Sequence, residues 1–181
     1  MKKVAILAAP GFEEIELIAP LDILRRLNME VMLAGVQSDK VVSAHDVTVT
    51  TDTMLDKLHA DKLDALVLPG GAGSWILRDT PEVIHLVKKM HEAGKLVAAI
   101  CAAPSVLASL GLLEGKNATA HAGFQDKLAG AIVHDEEVVV DGNITTSYGL
   151  GGAIPFALEL VRQLAGQAEA ERIRNAIAYR H

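Results

Sequence analysis

Short apolar runs alternate along the chain with segments whose apolar residues recur every three or four positions. The run at 4–7 ends at Pro10-Gly11, and residues 13–28 then carry apolar side chains at helical spacing. The same alternation predicts further strands at 31–34, 65–68 and 96–100, and further helices at 81–93, 104–110, 153–164 and 168–179. The chain is therefore predicted to be built from repeated strand–helix units.

Three patterns fall outside this alternation. Residues 41–49 favour a small hairpin, 52–59 a short helix, and 138–146 a hairpin around Asp141-Gly142-Asn143. Strands that alternate with helices imply a mostly parallel sheet covered on both faces. We therefore expect a three-layer α/β/α sandwich with a ligand crevice at the carboxyl ends of its strands.

Composition narrows the class of protein. The chain has 181 residues, of which 50% are hydrophobic and 22% charged, so one domain spanning 1–181 with a full core is expected and disorder is excluded. The net charge of −6 and the lack of a basic cluster argue against nucleic-acid binding. One cysteine cannot form an internal disulfide, and no apolar stretch is long enough to span a membrane. We expect a soluble, cytoplasmic protein.

Cys101 is the strongest candidate nucleophile. It follows the strand predicted at 96–100 and precedes Ala102-Ala103-Pro104 and a helix, which is the strand-to-helix corner of a nucleophile elbow. The N–H groups and dipole at the start of a helix favour a thiolate. The alternative is that Cys101 merely fills space, as buried free cysteines commonly do. Its position alone leaves both interpretations open.

Backbone donors are predicted at a second strand end. Gly70-Gly71-Ala72-Gly73 follows the strand at 65–68, and glycine turns of this kind direct N–H groups at an anion. The segment lacks the Lys-Ser/Thr end of a Walker loop and the GxGxxG spacing, so a phosphate or dinucleotide site is weakly supported. A tight turn that needs positive φ is an equal alternative.

Glu16 and His121 are the candidate acid–base groups. Glu16 lies between Ile15 and Leu17, so it can point into the crevice, stay protonated and hydrogen-bond a thiolate. The neighbouring Glu13 and Glu14 are expected only to favour the start of the helix. His121 is the best placed of seven histidines, although a lone histidine is more commonly an ordinary loop residue. No histidine pair has metal-ligand spacing, so we expect no metal site.

Three segments in this order form a recognisable set: Ala9-Pro10-Gly11-Phe12-Glu13-Glu14-Ile15-Glu16, Val67-Leu68-Pro69-Gly70-Gly71 and Ala98-Ala99-Ile100-Cys101-Ala102-Ala103-Pro104. Together they closely resemble the ThiJ/PfpI superfamily, in the DJ-one branch and its bacterial relatives. The resemblance covers nearly the whole chain. It implies a flavodoxin-like sandwich of the class I glutamine amidotransferase type, a homodimer, and a reactive cysteine at Cys101.

The resemblance also assigns roles to other positions. It places a protonated glutamate that hydrogen-bonds the cysteine at Glu16, backbone donors at Gly70 and Gly71, and the nearby histidine at His121. The protease-like branch has a histidine after the cysteine, where this chain has Ala102, and this difference counts against a peptidase. Relatives often carry arginine at two further positions, occupied here by Tyr148 and His45, so the anchoring of an anion is expected to differ.

The sequence is compatible with two functions. The first is a glyoxalase or deglycase that needs no cofactor, in which Cys101 attacks a small 2-oxoaldehyde, the N–H groups of Gly71 and Ala102 hold the oxyanion, and Glu16 shuttles a proton. The second is a redox-sensing stress-response protein or chaperone whose Cys101 oxidises to a sulfinate. The same thiolate serves both functions, so the sequence does not separate them.

The helix predicted at 13–28 also suggests a partner surface. Ile15, Ile18 and Leu21 form one apolar stripe, and Leu17 and Leu24 form a second, which is more than one neighbouring sheet needs. We expect a homodimer built partly on this helix. The alternative is that both stripes are buried in the core.

Overall fold

The helices and strands of this computed structural model, which describes residues 1–180, follow the predicted alternation. The strands are β1 (Lys3–Ala8), β2 (Glu30–Gly35), β3 (Lys40–Val42), β4 (Thr48–Thr50), β5 (Thr53–Met54), β6 (Ala65–Leu68), β7 (Leu96–Ile100), β8 (Asn117–Ala118), β9 (Ile132–Val133), β10 (Val138–Asp141) and β11 (Ile144–Ser147). The helices are α1 (Glu14–Arg25), α2 (Gly73–Asp79), α3 (Pro81–Glu92), α4 (Pro104–Ser109), α5 (Ala153–Ala165) and α6 (Gln167–Ala176). Both predicted hairpins, β3–β4 and β10–β11, are present.

The central sheet has seven strands in the order β10–β11–β7–β6–β1–β2–β5. Only the edge pair β10–β11 is antiparallel, and every other pair in this sheet is parallel. Parallel strands require crossover connections, which place helices on both faces of a sheet. The expected three-layer α/β/α sandwich is confirmed.

Alternate side chains of β1 enter two separate cores. Val4, Ile6 and Ala8 belong to the core shared with α1 and α5, whereas Ala5 and Leu7 belong to the core shared with α3 and α4. All five residues are fully buried. A strand buried on both faces reads in sequence as a continuous apolar run, which is why this run identified a central strand.

The prediction of a helix at 52–59 is wrong. Thr53–Met54 is the short strand β5, and two 3₁₀ turns, Leu55–Lys57 and Ala60–Lys62, follow it. The carboxylate of Asp52 accepts the N–H of Leu33 at 2.7 Å, and the Asp52 N–H donates to the carbonyl of Leu33 at 2.9 Å. These two bonds hold the segment beside β2 in extended form, so tertiary pairing overrides the local pattern.

Helix α2 was not predicted from the sequence. It begins at Gly73 and contains Ser74, and both residues are poor helix formers that follow the glycine turn. The N–H groups of Ser74 and Trp75 donate to the carbonyls of Gly71 and Ala72, so the turn passes directly into the helix.

Among residues 1–180, no helix combines the length and apolar character that crossing a bilayer requires.

The sheet topology fixes where a ligand crevice lies. The chain runs from β1 outward to β2 on one side, whereas β6 and β7 lie on the other side of β1. In an open parallel sheet, such a switch in direction opens a crevice at the carboxyl ends of the strands. The segments that follow β1, β6 and β7 contain Glu16, Gly70 and Cys101 respectively, so the fold brings these residues to one edge.

Candidate active site

Cys101 occupies a sharp corner immediately after β7. Its φ of 66° lies in the left-handed region, which is uncommon for a residue with a side chain and is a form of strain that concentrates at functional sites. The Cys101 N–H donates to the carbonyl of Ser147 at 2.9 Å, and its carbonyl accepts the N–H of His121 at 3.0 Å. The neighbouring strand end and the His121 loop therefore hold the corner, as a nucleophile elbow requires.

The carboxyl group of Glu16 faces Cys101 from helix α1. Glu16 is only 1% exposed, although its neighbours Ile15 and Ile18 are exposed at 48% and 41%. One carboxyl oxygen, Oε2, accepts the N–H of Gly70 at 3.0 Å, and the carboxyl also hydrogen-bonds the side chain of Cys101. The inward orientation expected for Glu16 is therefore present.

Gly70 separates these two side chains and has no room for one of its own. A Cβ at this position would lie 2.6 Å from the Cβ of Cys101 and 2.6 Å from Oε2 of Glu16. Both distances are far below van der Waals contact, so the close approach of carboxyl and sulfur depends on glycine here. Gly70 was expected to be a backbone donor at this site, and its N–H donates to the carboxyl of Glu16 rather than to the sulfur or an oxyanion.

Two other backbone N–H groups, those of Gly71 and Ala102, hydrogen-bond the sulfur of Cys101. Gly71 has a φ of 76°, in the left-handed region, and a Cβ at this position would lie 2.5 Å from the carbonyl oxygen of Gly11, so both its conformation and its packing require glycine. The Ala102 N–H comes from the elbow itself. These two donors converge at the sulfur, where an anion on the sulfur or on an attached oxygen would be stabilised.

Burial governs the protonation of this pair. Desolvation raises the pKa of Glu16 to about 7, against the lowering effect of its hydrogen bonds to Cys101 and to the N–H of Gly70. Desolvation, followed by the negative charge of ionised Glu16, raises the pKa of Cys101 to about 12. The two groups therefore titrate together, and the pair holds one proton over a wide range above pH 7.

The position of that proton decides whether Cys101 is a thiolate. When the proton is on Glu16, the repulsive charge beside the sulfur disappears and the carboxyl becomes a hydrogen-bond donor. Only burial then opposes the N–H groups of Gly71 and Ala102, which lower the pKa of Cys101. The helix dipole alone, which the sequence analysis considered, therefore does not set the state of the sulfur.

His121 lies at the mouth of this site. Its Nδ1 accepts the N–H of Gly123 at 3.2 Å, and within residues 1–180 no hydrogen bond joins its ring to the sulfur of Cys101. A Cβ placed on Gly149 would lie 3.5 Å from Cδ2 of His121, 3.8 Å from Oε1 of Glu16 and 3.9 Å from Cβ of Cys101. The ring is therefore near the pair but is not its established base.

Sequence reasoning missed Gly149 as a wall of the site. It follows β11 in the segment Tyr148-Gly149-Leu150-Gly151-Gly152 and has a φ of 148°. Glycines directly after a strand end were the signal that identified Gly70 and Gly71, and the same signal was present here. Tyr148, which precedes Gly149, is half-buried beside Gly151 and Gly152.

A second polar group lies at the start of α1. The side chains of Glu13, Glu14 and His45 bring one ligand atom each to within 4.8 Å of one another, which is compatible with metal coordination. Glu14 already accepts hydrogen bonds from the Ser43 hydroxyl, from the His45 N–H at 2.8 Å and from His45 Nδ1 at 2.9 Å. These contacts lower the pKa of Glu14 to about 2 and raise the pKa of His45. We assign the group a structural role in fastening the β3–β4 hairpin to α1.

Comparison with known proteins decides the family. The model of the DJ-1/PfpI family matches residues 2–163. The chain belongs to this family. A deglycase of Thermococcus kodakarensis is 42% identical over 164 residues, covering 90% of this chain and 99% of the relative.

Solved structures of DJ-1/PfpI proteins have the same fold. The C103A mutant of a DJ-1 superfamily protein from Salmonella typhimurium superposes with a TM-score of 0.94 at 40% identity and covers 100% of both chains. Toxoplasma gondii DJ-1, described as oxidized, has a TM-score of 0.95 at 34% identity and covers 100% of both chains. The flavodoxin-like sandwich implied by the resemblance is therefore confirmed.

The raised pKa of Glu16 predicts a specific pH dependence of stability. Its pKa is about 7 in the folded chain and 4.5 when unperturbed, so the stabilising contribution of the protonated form is complete below pH 4.5 and is lost as the pH rises to about 7. At about 1.4 kcal/mol per pH unit, the wild-type protein should lose roughly 3 kcal/mol over this interval relative to Glu16→Gln. Urea unfolding of both proteins between pH 4 and 8 measures the difference.

The exposed Glu82→Gln variant serves as the control for this experiment. It removes the same type of group from the surface, so its stability should follow that of the wild type throughout the range. A constant difference between wild type and Glu16→Gln would contradict the raised pKa of Glu16.

Gly70→Ala should separate the carboxyl from the sulfur without unfolding the chain. The added methyl group must displace Glu16 or Cys101, and a misplacement of about 1 Å between reacting groups costs about a hundredfold in rate. We expect the pH dependence described above to weaken and any Cys101-dependent turnover to fall at least that far, while circular dichroism stays native. Unchanged turnover in Gly70→Ala would show that the close approach is unnecessary.

Proposed function

We propose that this protein is a cofactor-independent glyoxalase and deglycase acting on 2-oxoaldehydes such as methylglyoxal and on their early glycation adducts. One observation carries the proposal: a buried carboxyl of raised pKa faces a cysteine sulfur that receives two backbone N–H groups. Nucleophilic attack needs the sulfur, and proton transfer near neutral pH needs the carboxyl. The similarity to relatives that are named deglycases supports the same activity.

The reaction begins when the proton that the pair shares moves from Cys101 to Glu16, which leaves Cys101 as a thiolate. The sulfur attacks the aldehyde carbon, a C–S bond forms, and the carbonyl electron pair moves to oxygen. The N–H groups of Gly71 and Ala102 stabilise this oxyanion, and Glu16 then donates its proton to it. The product is a neutral hemithioacetal beside an ionised Glu16.

Glu16 then acts as the base. Its carboxylate removes the proton from the former aldehyde carbon, giving an enediolate, and returns the proton to the neighbouring carbon. The result is a thioester of a 2-hydroxy acid, formed without an external oxidant because one carbon is oxidised while the other is reduced. Water hydrolyses the thioester, releases the 2-hydroxy acid and regenerates the cysteine.

A glycation adduct undergoes the same reaction after a different first step. The sulfur displaces the amine from the carbinol carbon, so the C–S bond forms as the C–N bond breaks. Glu16 donates its proton to the leaving nitrogen, and the repaired amine departs. The hemithioacetal that remains is the one formed from the free aldehyde, so one site accounts for both activities.

Turnover of methylglyoxal by paired variants tests this function. Cys101→Ser should reduce turnover to background, because a serine hydroxyl is a far weaker acid than a thiol and gives no anionic nucleophile beside a protonated carboxyl. Glu16→Gln keeps a hydrogen-bond donor beside the sulfur but cannot move a proton, so turnover should fall at least about a hundredfold while iodoacetamide still alkylates Cys101 rapidly. The 2-hydroxy acid is quantified by chromatography.

Two results would contradict the proposal. Turnover that survives Cys101→Ser would place the chemistry elsewhere in the chain. Normal turnover in Glu16→Gln would remove the carboxyl from the mechanism, whereas slow alkylation in that variant would count only against its support of the thiolate.

Redox sensing is the second candidate function. Two N–H donors and a carboxyl beside a sulfur also suit a sulfinate, which forms when the thiolate takes two oxygen atoms from two molecules of hydrogen peroxide and releases two waters. The oxidized state described for Toxoplasma gondii DJ-1 supports this chemistry. Mass spectrometry of the peroxide-treated wild type and Glu16→Gln measures how much of Cys101 becomes a sulfinate. A redox sensor would accumulate the sulfinate without turning over methylglyoxal, and this result would distinguish it from a glyoxalase.

We also propose that the chain forms a homodimer through α1. Leu17 and Leu24, the second predicted stripe, are buried in the core, and so is Leu21 of the first stripe. Ile15 and Ile18 remain exposed, so only this part of the first stripe is left for a partner. Because Glu16 lies between them in sequence, pairing through this face would also fix its backbone.

Sedimentation measures the assembly directly. The wild type should sediment as a dimer of the 19.2 kDa chain at micromolar concentration, and Ile18→Asp should sediment as a monomer because it places a charge in the contact. Ile132→Asp, an equally drastic change at a residue 54% exposed outside α1, should remain dimeric. A monomeric wild type, or a dimer insensitive to Ile18→Asp, would contradict the proposal.

A further inference from the structure

A small cavity of about 170 Å³ lies between α2, α4 and the 3₁₀ segment Ala122–Lys127. Its wall includes the Trp75 ring, the side chains of Arg78 and Lys127, and Ser109. It is separate from the crevice that holds Glu16 and Cys101, although α4 begins three residues after Cys101. Neither the sequence motifs nor the proposed reaction accounts for it.

The charge of this cavity differs from that of four other cavities in the described residues. Four larger cavities lie between elements of the described chain, and the wall of each contains at least one Asp or Glu. The wall of this cavity contains two cations and no carboxylate. In a chain of net charge −6, a pocket with only positive side chains is a local exception.

The two cations are held at one indole ring. The guanidinium carbon of Arg78 lies 4.8 Å from the ring centroid of Trp75, and the ammonium of Lys127 lies 5.3 Å from it. Lys127 also lies 5.5 Å from the ring of Phe124. These cation–π contacts hold both positive charges at one ring, where a bound oxyanion would find two cationic partners.

The two cations differ in their existing partners. Arg78 makes two hydrogen bonds to Asp79, at 2.7 and 3.0 Å, and Asp79 lies outside the cavity wall. Lys127 makes no ion pair with any residue of the described range 1–180, so its charge is available. The hydroxyl of Ser109 already donates its proton to the carbonyl of Val106 at 2.7 Å. Binding of an anion in the cavity would therefore depend on Lys127 and Arg78.

The size of the cavity limits what it can hold. Pockets for drug-sized ligands span about 300–1,000 Å³, so 170 Å³ suits a single small group. Arginine and lysine beside each other favour phosphate and carboxylate oxygens. We propose that this cavity binds a small oxyanion, either a free phosphate-type ion or the anionic end of a longer substrate.

A row of aromatic rings lies between the candidate active site and the cavity. Trp75 contacts Phe124 with a centroid separation of 5.6 Å, and Phe124 contacts His121 at 6.4 Å, so a wall of rings leads from the mouth of the candidate active site to the cavity. An extended substrate with a carboxylate or phosphate could lie along this wall. A free ion would instead occupy the cavity alone.

The chain offers a reporter inside the proposed site, because Trp75 is its only tryptophan. Titration with inorganic phosphate should change the fluorescence of Trp75 saturably, and chloride at matched ionic strength should not. Lys127→Gln should weaken phosphate binding by about tenfold or more, since a charged partner is lost, and Arg78→Gln should weaken it in the same direction. Lys62→Gln, the same charge change at an exposed site elsewhere, should bind like the wild type.

A second experiment distinguishes the two sources and rests on the proposed function. If the cavity holds the anionic end of a substrate, Lys127→Gln should raise KM for the methylglyoxal adduct of N-acetylcysteine but not for that of its neutral amide, with kcat unchanged. If it holds a free ion, neither KM changes while phosphate still binds. Either result supports the oxyanion site and assigns its source.

The fluorescence experiment needs no activity, so its failure is separate from failure of the glyoxalase proposal. A wild-type protein whose Trp75 fluorescence responds equally to phosphate and chloride would overturn the inference. Equal phosphate affinity in the wild type, Lys127→Gln and Arg78→Gln would overturn it as well, provided that circular dichroism shows all three proteins folded.

Discussion

The buried hydrogen bond between Glu16 and Cys101 is the contact on which the site depends. A carboxyl that is 1% exposed stays ionised near neutral pH only at a large desolvation cost, and the N–H of Gly70 compensates for part of it. The result is a carboxyl with a pKa near 7, which can both give and take a proton under ordinary conditions. Its partner is the one cysteine of the chain.

Several features of the fold position the two side chains that make this contact. The switch in strand order between β1 and β6 brings α1 and the Gly70-Gly71 turn to the same edge as the end of β7. Glycine at position 70 allows the carboxyl and the sulfur to approach, and the left-handed turn at Cys101 places its side chain toward them. The N–H groups of Gly71 and Ala102 complete the surroundings of the sulfur. The core on both faces of the sheet holds these segments in place.

Sequence patterns identified the parts of the molecule that depend on local rules. Continuous apolar runs gave the central strands, and helical spacing gave α1, α3 and α5. The segment at 52–59 failed because Asp52 bonds to Leu33, a contact between distant parts of the chain that no local pattern contains. Helix α2 was missed because it begins with Gly73 and Ser74, which are poor helix formers.

The candidate site was predictable to the same extent. A cysteine, a glycine turn and a glutamate that each follow a predicted strand were expected to converge, and the structure brings them together. The raised pKa of the pair could not be read from the sequence, because it arises from burial and from the mutual approach across Gly70. The cations at Trp75 were invisible for a similar reason: Arg78 and Lys127 are far apart in sequence and meet only through the packing of α2 against the 122–127 segment.

The central claim is that Glu16 keeps its proton to neutral pH in the folded protein. Carbon-13 NMR of the side-chain carboxyl carbons, with Glu16 assigned by comparison with Glu16→Gln, follows this proton directly as the pH is raised from 4 to 9. The account predicts a Glu16 resonance that titrates with a midpoint near pH 7, well above the ordinary value of 4.5. A midpoint close to 4.5 would contradict it, because the carboxyl would then be ionised throughout the range in which the proposed reaction requires it to donate a proton.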